Sequence, residues 1–205
     1  MFLHKFVVIC LLQLLAGSMS AQLSSDEFNN IVKQKIEDFH FHSKTIGNRG
    51  VSAFRKETAI ISALELFIGK GEPFEYTDDF GNRRCHEPVK MHISDKGRKF
   101  PPRLMATYLK NLKKLPYADV IIEAADVVRI DNIFETGVGK YKAVAYFIQR
   151  FCRYNREGKL IFSDVTENKV KICVEKEMIP LPDGTEKVFW PVYLGDIYAL
   201  STHYE

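Results

Sequence analysis

The residue types able to do chemistry are scattered along the chain. Four carboxylates stand in apolar or strand-like segments: Asp126 in EAADVV, Asp196 in YLGDIY, and Asp131 and Asp164. A carboxylate shielded from water keeps its proton to higher pH and can serve as a general acid or base. Tyr141 and Tyr146 would bring a hydroxyl to the same region. The competing reading is a carboxylate at a strand edge or turn, which does no chemistry. Cys85 and His86 are sequence neighbours, a placement that rarely turns a thiol toward a base, and no nucleophile signature surrounds them. His40 and His42 point about 200° apart on a helix, and His86 and His92 have no third ligand at metal spacing. Gly137-Val138-Gly139-Lys140 lacks phosphate-loop spacing and precedes a strand, so it reads as a β-turn. No motif calls for a cofactor or a metal.

Positive charge gives no stronger lead. Arg103, Lys110 and Lys114 share one side of an expected helix, with Arg83-Arg84 and Arg98-Lys99 nearby. Such a face is ordinarily solvated. The net charge of +3 and the lack of aromatics interleaved with these cations exclude nucleic acid as the expected partner.

The N-terminus carries a clear address. Lys5 precedes the apolar run Phe6 to Ala16, and Gly17, Ser18, Ser20 and Ala21 follow. This is the build of a cleaved secretory signal, too short for a comfortable membrane span. The expected division is a signal at 1–21 and one domain at 22–205, without a transmembrane anchor. The expected destination is the periplasm or the extracellular side, with a Gram-negative envelope the best match. Cleavage leaves three cysteines. Cys152 and Cys173, both in strand-like runs, are the first choice for one disulfide, and three unbridged thiols are the alternative.

Hydrophobic periodicity supplies the elements that must position these groups. Ser24 and Glu27 form a capping box, and Phe28, Ile31, Val32, Ile36 and Phe39 then recur at helical spacing. A second helix is expected at about 51–68, stopped by Gly69 and Gly71. A third is expected at 102–115, opened by Pro101-Pro102, with Leu104, Met105, Tyr108, Leu112 and Leu115 on one face. Beyond Pro116 the period falls toward 2. Long strands are expected at 120–128, 141–154, 169–177 and 188–200, with a bulge at 127–130 and both faces of 141–154 covered.

Helices first and strands afterwards give an α+β fold. The element order, with the segments KAVAYFIQRF and VFWPVYLGDIYAL, resembles the nuclear transport factor two-like (cystatin-like) superfamily, especially its exported bacterial members of uncharacterised function. The resemblance implies N-terminal helices packed in the concave side of a strongly curved antiparallel sheet, a conical α+β barrel. It also implies a pocket for a small apolar ligand or a surface for a protein partner. Two further readings follow from it: an isomerase or dehydratase working through a buried carboxylate and a tyrosine, drawn from Asp126, Asp196, Tyr141 and Tyr146, or a structural component acting as a homodimer.

Overall fold

The computed structural model describes residues 24–204 except 79, 96–97 and 116–118. The expected signal segment 1–21 lies outside the described residues.

Helix α1 (Ser25–Gly47) begins where the Ser24 hydroxyl accepts the Glu27 N–H at 3.2 Å. Phe28, Val32, Ile36, Phe39, His40, Ser43 and Ile46 then fall on one buried stripe. Helix α2 (Ala53–Glu65) is capped by Ser52 and returns against α1. It stops earlier than expected, and a short 3-10 turn at Ile68–Gly71 reverses the chain. Gly69 takes φ +59° there, and the Phe74 ring leaves no room for a side chain: a Cβ would sit 2.3 Å from the ring's Cδ1.

The short strands come next: β1 (Phe74–Thr77), β2 (Arg83–His86), β3 (Lys90–His92), β4 (Ser94–Asp95), β5 (Arg98–Lys99) and β6 (Arg103–Leu104). Helix α3 (Met105–Lys113) follows, and then β7 (Asp119–Ile130), β8 (Phe134–Gly137), β9 (Lys140–Tyr154), β10 (Leu160–Glu175), β11 (Glu177–Pro180), β12 (Glu186–Phe189) and β13 (Val192–Tyr204). The main sheet runs β6-β3-β13-β10-β9-β7, with β8 continuing the β7 edge along β9. The pairs β1–β2, β4–β5 and β11–β12 stand apart as hairpins. Together they make an α+β fold with a strongly curled half-barrel sheet, and one apolar core joins the helices to one sheet face.

Four expectations change. The sheet is mixed rather than antiparallel, because β3 joins β13 in parallel, Met91 opposite Ile197 and His92 opposite Tyr198. Helix α3 starts three residues late, since Arg103 and Leu104 pair with Met91 and Lys90 instead of entering the helix. On β9, Ala143, Ala145, Phe147 and Gln149 are buried, but Val144, Tyr146 and Ile148 are only half-buried, so helices cover one face. The expected disulfide is absent, and Cys85, Cys152 and Cys173 are free thiols. Cys173 stands opposite Lys142 and Cys152 opposite Ser163, ten residues further along β9. At about 3.3 Å per residue the two thiols lie roughly 30 Å apart, far beyond bonding reach. The bulge expected at 127–130 is present as a register shift between Val127 and Arg129.

Candidate functional site

Period-2 alternation brings Gln149, Phe151 and Arg153 of β9 to the helix side of the sheet, beside Phe162, Asp164, Thr166 and Asn168 of β10. Helix α3 lies over them, anchored by buried Met105, Leu109 and Leu112. The helix does not seal the curl, and a cavity of about 300 Å³ remains. Taking about 30 Å³ per water-sized group, it holds roughly ten heavy atoms. Its apolar lining includes Met91, Ile93, Phe100, Leu112, Phe151 and Phe162, and its polar side is built by the residues described next.

The Tyr108 hydroxyl hydrogen-bonds the Gln149 amide. Burial, reinforced by the nearby Asp164 charge, pushes this phenol up to about 12, so it stays a protonated donor at any physiological pH. Thr166 Oγ1 lies 3.4 Å from Asp164 Oδ1 and 3.1 Å from Thr202 Oγ1, and the Asn168 amide donates to the Thr166 carbonyl at 3.1 Å. The Arg153 guanidinium lies over Phe162 at 4.3 Å and Phe151 at 5.0 Å from the ring centroids. Exposed Arg103 belongs to β6 and lines the cavity, so it does not share the helix face of Lys110 and Lys114.

Of the expected catalytic residues, Asp196, Tyr141 and Tyr146 lie elsewhere. Asp196 sits on the opposite sheet face. It accepts from the Lys90 N–H at 2.9 Å, Lys171 Nζ at 2.9 Å and the Tyr198 hydroxyl at 3.0 Å. Partial burial opposes its charge, but these three donors prevail and hold the carboxyl below its ordinary value. Tyr146 lies on that same face with the Arg129 guanidinium 4.1 Å above its ring, and Asp131 pairs with Arg129 at 3.0 Å. Tyr141 sits near one end of β9, edge-on to Trp190 at 5.6 Å. Asp126 falls within β7, and its side chain lies outside the described residues. Among the carboxylates weighed from sequence whose side chains are described, Asp164 alone lines this cavity.

Tyr108, Gln149 and Arg153 escaped the sequence reading, although two signals pointed to them. Tyr108 lies within an apolar helix stripe, where a buried hydroxyl demands a partner. Gln149 continues the inward series Ala143, Ala145, Phe147, which marks a polar group aimed at the core.

Among the described residues, the remaining histidines and cysteines form no reactive set. Helix α1 runs through both His40 and His42, which keeps them divergent. Neither His40 nitrogen has a hydrogen-bond partner among the described residues, and burial lowers its pKa to about 4. The Cys85 thiol lies 3.6 Å from the His86 carbonyl, while His86 turns Nδ1 to the Glu87 carbonyl at 2.6 Å. No group of three metal-ligating side chains occurs among the described residues. No described helix is long and apolar enough to cross a membrane.

No protein-family model, curated protein or solved structure matches this chain. Its functional reading therefore rests on the cavity and the residues that line it.

Proposed function

We propose that this chain is an exported binding module, without catalytic activity, that holds one small, largely apolar ligand beneath α3. The observation carrying this reading is the cavity of about 300 Å³, apolar over most of its lining, with polar groups gathered along β9 and β10. That division suits a ligand with an apolar body and one hydrogen-bonding end. The arrangement expected from the nuclear transport factor two-like superfamily, with helices filling the concave side of a conical sheet, supports the same placement. The secretory build of residues 1–21 supports a site outside the cytoplasm.

Native mass spectrometry of the protein purified from its own host tests the reading. Excess mass that vanishes on denaturation is the expected result. Ala199→Phe, which fills the cavity from β13, should abolish it. Bare protein from the host, with no thermal shift across a panel of small apolar compounds, would refute the proposal.

The neighbouring Tyr108 and Asp164 favour a second reading, an isomerase or dehydratase. Tyr108, held protonated, would donate to a carbonyl oxygen, and Asp164 would carry the proton. Under this reading, Asp164→Asn should reduce turnover of a captured ligand by at least about a hundredfold while leaving its binding intact. Unchanged turnover in that variant would eliminate the enzyme reading.

A further inference from the structure

The cavity beneath α3 carries a cation on its open side, and the strand register puts it there. Arg103 stands opposite Met91 in the β6–β3 pair, and Met91 stands opposite Ile197 on β13. Facing residues of neighbouring strands share one side of a sheet, so Arg103 is carried to the same side as buried Met91 and Ile197. Its neighbour Leu104, opposite Lys90, turns to the other side and is 44% exposed. Arg103 lines the cavity yet is itself exposed, which places it where the cavity meets solvent.

The guanidinium of Arg103 is uncommitted: it makes no hydrogen bond, ion pair or ring contact among the described residues. The two other charged groups described in the lining are already engaged. Asp164 Oδ1 lies 3.4 Å from Thr166 Oγ1, and the Arg153 guanidinium lies over Phe162 and Phe151. Arg103 also stands apart from them in the sheet. Strands β3 and β13 lie between β6 and β10, and they give the lining the apolar Met91 and Ala199. The cation of β6 and the polar groups of β9 and β10 are therefore separated by apolar wall.

We propose that the ligand of this cavity is a small monocarboxylic acid, with its carboxylate on Arg103 and its apolar body against Met91, Phe100 and Leu112. The assignment rests on the binding reading of the same cavity and adds the chemical class of its ligand. A guanidinium offers five N–H donors in a planar fork that matches the two oxygens of a carboxylate. Asp164 repels a carboxylate at the β10 side, which leaves Arg103 as the place for the acid end. The cavity holds roughly ten heavy atoms. A carboxylate takes three of these and leaves about seven for a chain or a single ring.

Calorimetry should follow octanoate and 3-phenylpropionate, each beside its neutral amide, on the parent, Arg103→Gln and Ala199→Phe. The amides keep the size and shape of the acids and remove the charge. The expected result is saturable binding of at least one acid to the parent, with its amide at least about tenfold weaker. Arg103→Gln should weaken the acid at least about tenfold and leave the amide unchanged, so that the difference between them disappears. The β6–β3 pairing is made by backbone groups, and this substitution leaves it in place. Ala199→Phe should abolish binding of both compounds. Amides that bind as tightly as the acids, or an acid bound equally well by Arg103→Gln, overturn the inference and leave the cavity to neutral ligands. Acid binding that survives Ala199→Phe overturns it by placing the acid elsewhere. No saturable heat from either acid overturns it as well. The binding reading of the cavity falls with it only if the amides are also silent and the protein from its own host carries no excess mass.

Discussion

Three strands of the main sheet carry very different residues one step apart. Phe147, Val170 and Ile197 are fully buried against the helices. Their chain neighbours Tyr146, Lys169 and Tyr198 turn to the other face and are half-buried. There, one rung crosses five strands as His92, Tyr198, Lys169, Tyr146 and Arg129. The His92 ring stacks on Tyr198 at 4.1 Å, Lys169 Nζ lies 5.1 Å from the Tyr198 centroid, and Arg129 lies over Tyr146. One face excludes water with packed helices. The other is shielded by long cationic side chains lying across aromatic rings, an arrangement whose charged ends stay in water. The two faces therefore answer differently to truncation, pH and salt.

Truncation should separate them most. Phe147→Ala opens a void beneath α1, where the His40 ring lies 5.1 Å away, and should cost about 3–5 kcal/mol in urea unfolding. Tyr146→Ala, one residue earlier, should cost about 1 kcal/mol, because it removes a half-buried ring and one cation–π contact. Equal losses at the two positions would abolish the distinction.

Acid should act chiefly through the inner face. Folded His40 binds a proton only near pH 4, against an ordinary value of 6.5, so the unfolded chain takes the proton first. The stability that depends on neutral His40 is complete above about pH 6.5 and is lost as pH falls toward 4. At about 1.4 kcal/mol per pH unit, the loss between pH 7 and pH 5 is about 2 kcal/mol. His40→Leu should remove that part of the pH dependence. Parallel pH profiles for the variant and the parent would show that His40 is not responsible.

The outer face should respond through Asp196. Asp196→Ala strands the Lys90 N–H and unpairs Lys171, and about 1–2 kcal/mol should be lost at pH 7. Arg129→Gln should cost less than about 1 kcal/mol, and the difference should shrink further in 1 M salt. A salt-independent loss at Arg129 would assign it a packing role instead.

Much of this was legible in the chain. The α1 stripe from Phe28 to Phe39 and the alternation along β9 and β10 are local patterns, and local patterns survive folding. The elements that changed depend on partners distant in sequence. Arg103 and Leu104 read as helix until β3 is available to pair with them. Cys152 and Cys173 both read as strand residues, but only the β9–β10 register shows that they occupy distant rungs. Asp164 was visible as a candidate, whereas its relation to Tyr108 was not, because helix α3 and β10 meet only in three dimensions. Asp196 is partly buried, as its apolar neighbours in YLGDIY suggest, but alternation sends Ile197 inward and Asp196 to the outer face, where Lys171 meets it.

The position of β13 bears on the order of assembly. This strand lies inside the sheet, with β10 on one side and β3 on the other, although it is the last strand described. The Lys90 N–H that meets Asp196 spans 106 residues of chain. Until β13 arrives, one long edge of β10 is open and the β3–β6 pair has no connection to the rest of the sheet. Closing so large a loop before its contacts can form makes for high contact order and slow folding. The helices and the β7–β9–β10 meander can form early, but the wall that Ala199 and Thr202 give the cavity is the last to be built.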